Sequence, residues 1–351
     1  MMNKSGIVLF AKKPGPTSFT SLNSIKKALG TTKVGHTGTL DSFAQGLLVV
    51  CTGSLTRLAG NIIEFDKEYQ AVFEFGKETD TLEYTGKITK ETSLPDENTL
   101  KQTVEKFTGK IMQKPPVFSS IHIDGKRSSE LARSGLETEI PARPVCVYKA
   151  EIKELKKNDK NLVEYALINF SVSKGTYIRS LARDIGQACG SSANLIGLYR
   201  TRIGHFKIED AAGFNRLPDF TIQNAINEME NQKVLIKKAE EERALKKERQ
   251  KYVPDQAELD LQEDIRQKIY QVDKDTASLC GFEIINLISD TGKSDFENGR
   301  PLRSKLFDKD LHSLPDNSIT AVFTKDDDFA GLIDKDENGR IHYRFVKKDQ
   351  N

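Results

Sequence analysis

A single acid stands in a run of small and polar residues, Lys33-Val34-Gly35-His36-Thr37-Gly38-Thr39-Leu40-Asp41. Two glycines and two threonines bracket His36 and Asp41, and Ser42-Phe43-Ala44-Gln45-Gly46 leads at once into the apolar run Leu47-Leu48-Val49-Val50. Small residues let the backbone bend tightly and let a ligand approach, and the apolar run anchors the bend in a core. A loop held in this way suits a reactive carboxylate. The residues alone leave a second reading open, in which Asp41 caps a helix over Ser42–Val50 and His36 is a turn residue. Asp41 has no carboxylate partner close in sequence, so its expected partner is a cation. Between Lys174 and Lys207 six Lys or Arg face one acid, Asp184, which reads as the strongest local basic signal and suits phosphate binding.

Gly-His-Thr-Gly-Thr-Leu-Asp (35–41) followed by Ala-x-Gly-Leu-Leu (44–48) closely resembles the catalytic loop of the TruB family of tRNA pseudouridine synthases, in its bacterial stand-alone form. Further segments resemble the family in the same order. They are Lys13-Pro14-Gly15-Pro16-Thr17-Ser18, Asp80-Thr81, Gln113-Lys114-Pro115-Pro116-Val117-Phe118-Ser119-Ser120, Gly175-Thr176-Tyr177-Ile178-Arg179 and Ala193–Arg200. The resemblance covers Ile7 to Ala212 and implies roles for particular residues. Asp41 would be the nucleophile and Arg179 its cation, joined by a forked hydrogen bond. Tyr69 would pack on the target base, Tyr177 would line the base pocket, and Leu198 would contact the base. His36 would help displace the target from its stack. Lys126 and Arg127 would lie on a mobile thumb loop at about 119–145, and Lys13 and Pro14 would support the catalytic loop from beneath. The implied reaction breaks the C1′–N1 bond of the T-loop uridine at position 55 of tRNA, turns the base and rejoins it through C5. It needs no cofactor and no metal. Attack at C1′ and attack at C6 both stay open. The base must be flipped out first, and stacking on an aromatic offsets part of that cost.

Several elements must hold these residues. Ile7–Phe10 reads as a buried strand. Thr17-Ser18 caps a helix over Phe19–Leu29 that Gly30 ends. Lys67–Gly76 and Leu162–Val172 alternate as strands. Asn98–Phe107 is amphipathic, and a helix after Gly175 presents Leu181, Ile185 and Ala188 on one face. The implied fold is α+β, a mixed, largely antiparallel pseudouridine-synthase sheet with packed helices. A small C-terminal β-barrel, resembling a degenerate PUA domain, is added to it. Residues 1–215 form the catalytic domain in this reading, 216–275 a charged helical insert or linker, and 276–351 the PUA-like RNA-binding domain. Between Lys233 and Lys251 eight basic and four acidic side chains suggest a solvated spacer, while Leu261, Ile265 and Ile269 recur every four residues, as on a helix that packs somewhere. The acidic tract Asp326-Asp327-Asp328 sits awkwardly in an RNA-binding domain.

Composition narrows the class. With 351 residues there is room for two domains, and a net charge of +2 does not by itself announce a nucleic-acid binder. Cys51, Cys146, Cys189 and Cys280 form no Cys-x-x-Cys pair, which argues against a zinc site or a disulfide framework. No stretch approaches the roughly 20 apolar residues of a membrane span, so a soluble cytoplasmic protein is expected, with the T-arm of tRNA as partner and no obligate protein partner. Two alternatives remain: an RNA-binding tRNA-folding chaperone without turnover, and a pseudouridine synthase acting on another RNA. The presence of both Asp41 and Arg179 favours turnover.

Overall fold

The structure is a computed structural model that describes residues 5–119, 121–123, 126–128, 134, 140–243 and 254–347. A ten-stranded sheet forms the body. In chain order its strands are β1 (Gly6–Lys12), β2 (Val34–His36), β3 (Gln45–Thr52), β4 (Lys67–Phe75), β5 (Gly109–Gln113), β6 (Arg143–Lys157), β7 (Val163–Val172), β8 (Ala193–Ile203), β9 (Phe206–Lys207) and β10 (Ile269–Tyr270). They line up as β10-β1-β3-β8-β4-β7-β6-β5, with β2 on β3 and β9 on β8. Every pairing is antiparallel except β3 with β8, which run parallel at Gln45–Tyr199 and Gly46–Arg200. Gly46 has φ +117, and a Cβ there would lie 2.4 Å from the Arg200 carbonyl oxygen, so only glycine lets the two strands meet.

The apolar run after Asp41 is β3, a strand buried along its whole length. The helix over 42–50 therefore does not form. Val49, Val50 and Thr52 are β-branched, and partners on either side take up the strand's hydrogen bonds. Asp41 opens a turn instead of a helix, its carbonyl accepting from Ala44 N at 3.2 Å.

The longer helices are α1 (Ser18–Leu29), α2 (Glu97–Lys106), α3 (Ile178–Ala188), α4 (Ile222–Arg243) and α5 (Gln256–Gln267). Helix α1 begins where its cap predicts: Thr17 Oγ1 accepts from Thr20 N at 3.1 Å, and Gly30 ends it in the left-handed region at φ 56. Leu181 and Ile185 of α3 are buried as expected, whereas Ala188 is exposed.

The spacer expected over Lys233–Lys251 falls in large part outside the described residues, at 244–253, whereas the segment that follows it packs on the main sheet. In α5, Leu261 and Ile265 pack with Val8, Phe10, Leu22 and Ile25, while Arg266 Nε donates to the last turn of α1 at Ala28 O (2.9 Å). The chain then leaves the helix, so Ile269 belongs to β10, which pairs with β1 at Ile7–Tyr270.

The C-terminal region is a four-stranded sheet of β11 (Glu283–Asn286), β12 (Ser318–Phe323), β13 (Phe329–Lys335) and β14 (Ile341–Val346), in that order. Strands β11 and β14 end the pairing path, so among the described residues the sheet is open and not a closed barrel. Its Phe323, Phe329 and Phe345 share one apolar core with Ile7, Leu9, Leu55 and Leu58 of the main body. The acidic tract makes the turn between β12 and β13, closed by Thr324 N donating to Asp328 O at 2.8 Å.

Candidate active site

The loop from Thr37 to Ala44 is tied down from three sides. Thr37 donates through both N and Oγ1 to Val49 O (2.9 and 3.1 Å). Ser18, in the first turn of α1, exchanges two hydrogen bonds with Leu40: Leu40 N donates to Ser18 Oγ at 2.8 Å, and Ser18 Oγ to Leu40 O at 2.9 Å. Beneath the loop lie two buried cations. Lys12 ends β1 with its ammonium donating to the carbonyls of Lys13 (3.0 Å), Ser42 (3.0 Å) and Ala44 (2.6 Å). Arg200, 1% exposed, donates from Nε to Leu47 O (2.8 Å), from Nη2 to Gly38 O (3.2 Å) and from Nη1 to Thr39 O (3.4 Å). Burial pulls the Lys12 ammonium down to about 7; the Asp41 charge opposes that fall and the Arg200 charge adds to it. The expected support from Lys13 is thus supplied by Lys12, since Lys13 itself points to solvent.

Above this floor Asp41 meets Arg179. Nε donates to Oδ2 and Nη2 to Oδ1, both at 3.0 Å, a forked pair. Further guanidinium N–H groups reach Thr81 O (3.0 Å) and Phe118 O (3.1 Å), so one buried arginine joins the Asp41 loop, the turn after β4 and the segment before the thumb. Arg179 sits in the first turn of α3. Just before it the Tyr177 backbone is clamped by the buried Gln113 amide, whose Oε1 accepts from Tyr177 N (2.9 Å) and whose Nε2 donates to Tyr177 O (3.1 Å). A second carboxyl shares this field. Burial pushes Glu83 up to about 7 and the Asp41 charge adds to the rise, while Arg179 and a 2.7 Å hydrogen bond from Thr85 Oγ1 oppose it. His36 ends β2; burial, then the Arg200 charge, hold its imidazole below the usual range and so neutral at pH 7. Tyr69 on β4 is half-buried and packs on the cluster that holds Leu40, Phe43 and Leu198. It stands in register with Phe170 and Arg200, on the face of the sheet that carries the loop.

The comparisons with known proteins bear on the same stretch of chain. Residues 26–178 match the TruB family pseudouridylate synthase (N-terminal domain). A Treponema denticola protein named tRNA pseudouridine synthase B is 47% identical over 234 residues, 63% of this chain and 66% of that one. One of the same name from Borreliella burgdorferi (strain ZS7) is 43% identical over 209 residues, 59% of this chain and 73% of its own length. The chain belongs to the TruB family. It thus spans just under two thirds of its Treponema relative and more of the Borreliella one. Among solved structures, the archaeal box H/ACA sRNP Nop10–Cbf5 complex matches with a TM-score of 0.61 at 21% identity, covering 98% of this chain and 86% of that one, a likeness of fold.

In this TruB-family chain the expected residues divide into two groups. Asp41, Arg179, His36, Tyr69, Tyr177 and Leu198 lie on the loop, on β2, β4 and β8, or at the start of α3, and Asp41 and Arg179 are in direct contact. The backbones of Lys126 and Arg127 form a two-residue strand paired with His122–Ile123, but their side chains and most of the thumb fall outside the described residues. Four residues were missed by sequence reasoning: Lys12, Arg200, Gln113 and Glu83. A charged residue inside or ending an apolar strand, as Lys12 and Arg200 are, was the available signal.

Proposed function

We propose that the protein isomerises the T-loop uridine at position 55 of tRNA to pseudouridine, with Asp41 as nucleophile after the base has been flipped from its stack. The observation that carries this reading is the forked Asp41–Arg179 pair on a loop whose backbone is gripped by two buried cations. Such a carboxylate is aimed and costs little to reorganise during attack. The C1′–N1 bond breaks, the base turns, C1′ joins C5, and the C5 proton is lost as N1 gains one. Tyr69 and Leu198 offer the freed base an aromatic and an apolar surface, Tyr177 borders its pocket, and neutral His36 fills the gap in the stack. Lys126 and Arg127 hold phosphates of the T-arm. The relatives named tRNA pseudouridine synthase B support tRNA as the substrate. Acting on tRNA places the protein in the cytoplasm, and no helix among the described residues is long and apolar enough to cross a membrane. A single chain suffices, because loop, floor and arginine all come from it.

The test is to incubate the full chain and its Asp41→Asn variant with unmodified tRNA transcript and map pseudouridine by carbodiimide-dependent primer extension. The parent should give a stop at position 55 and the variant none. Substantial single-turnover conversion by a folded Asp41→Asn protein would overturn the nucleophile assignment.

A further inference from the structure

The forty residues before Asp41 hold six lysines and not one Asp or Glu. That imbalance exceeds the one between Lys174 and Lys207, and most of it is displayed on and around α1. Lys12 is spent inside the fold, but Lys13, Lys27 and Lys33 are exposed and Lys26 is half-exposed. In the same field stands Phe19, 68% exposed. Lys26 lies on the same side of α1, with its Nζ 4.9 Å from the ring centroid. A lone exposed ring needs no explanation. This one follows Ser18, the residue that exchanges hydrogen bonds with Leu40 beside the nucleophile, and Lys33 leads into the strand that carries His36. The adjoining face of α1, with Leu22 and Ile25, is closed by the packed helix α5, and Phe19 and Lys26 stand at its solvent edge.

From this arrangement we propose that α1 is a second RNA-binding surface, on which an unpaired base of the substrate, other than the target uridine, stacks on Phe19 while flanking phosphates meet Lys26 and Lys33. An aromatic face among lysines, in a stretch that carries no Asp or Glu of its own, is what single-stranded nucleic acid requires: the ring accepts any base and the ammonium groups accept the backbone. The inference rests on the tRNA reading above and adds a site to it.

The chain contains no tryptophan, so Phe19→Trp introduces a single reporter. The full chain carrying Phe19→Trp and Asp41→Asn is titrated with unmodified tRNA transcript, following tryptophan emission and, in parallel, retention of the RNA on a filter. Emission should be quenched along the same curve as retention. RNA retained with emission unmoved overturns the stacking site and leaves the proposed function standing; no retention at all overturns both. In otherwise parental protein, Phe19→Ala and Phe19→Leu should each raise the tRNA concentration at half-saturation about tenfold, and Phe19→Tyr by less than about twofold. Equal loss in all three variants would mark a packing role and overturn stacking. Lys26→Glu and Lys33→Glu should each lower the salt slope of affinity by about one; unchanged slopes would overturn the phosphate contacts.

Discussion

Arg200 and Arg202 are two residues apart on β8, yet they serve opposite faces of the sheet. Arg200 pairs in register with Tyr69 and faces the Asp41 loop, where three backbone carbonyls hold it. Arg202 pairs with Glu68, one position along, because the register slips between the two arginines and Thr201 becomes a bulge. Its side chain, a third exposed, meets Glu68 Oε1 at 2.6 Å and Gly204 O at 2.7 Å. The same side chain thus does two jobs. Buried, it replaces water for the carbonyls of Gly38, Thr39 and Leu47. At the surface, it makes an ion pair that solvent competes for.

Removing the buried member should do the most damage. Arg200→Met keeps an apolar side chain and strips the carbonyls of Gly38, Thr39 and Leu47 of their donor. At about 1–3 kcal/mol for each buried acceptor left unpaired, the loss should exceed about 3 kcal/mol in urea unfolding. A loss below about 1 kcal/mol would mean that water replaces the guanidinium and that the contrast between the two arginines is false.

A smaller effect, dependent on pH, belongs to Glu83. Its carboxyl titrates near 7 in the fold against 4.5 in the free side chain. Between those values the folded state binds more protons, so its contribution to stability is full below the lower value and fades as pH rises through the upper one. Glu83→Gln removes that fading contribution. Its melting temperature relative to the parent should therefore be higher at pH 8 than at pH 5, and a difference that ignores pH would mean that burial and the Asp41 charge do not raise the Glu83 carboxyl. Smallest of all should be Arg202→Gln, whose exposed pair is worth less than about 1 kcal/mol; a larger loss would mean that the bulge itself depends on that arginine.

The two arginines also mark where sequence reading stops. The Asp41–Arg179 pair was legible because each partner lies in a contiguous string, the 35–41 loop and the Gly175–Arg179 turn. Lys12 was not, because its partners are backbone carbonyls, and no side-chain pattern records a carbonyl that needs a donor. Alternation places Arg200 and Arg202 on one face, and only the bulge, invisible in composition, separates them. The helix over 42–50 was a fair alternative until β1, β2 and β8 were seen to pair with β3. Spacing of four marked Leu261 and Ile265 as a buried face, but nothing in it named α1 as the surface they cover, nor announced that Ile269 would turn into a strand.

That strand, β10, affects how the protein is made. Strand β1 pairs with β3 on one side, a partner synthesised within seconds of it, and with β10 on the other. At roughly 5–20 residues per second, the ribosome releases β10 on the order of ten seconds or more after β3. Until then the nascent chain carries an open strand edge at Ile7 and Val8, beyond the bonds that Leu9 and Ala11 make to Ala212, together with the part of the α1 surface that α5 covers. Completing the catalytic sheet is therefore a late, long-range event, and the interval before it is when this chain most needs a chaperone's cover.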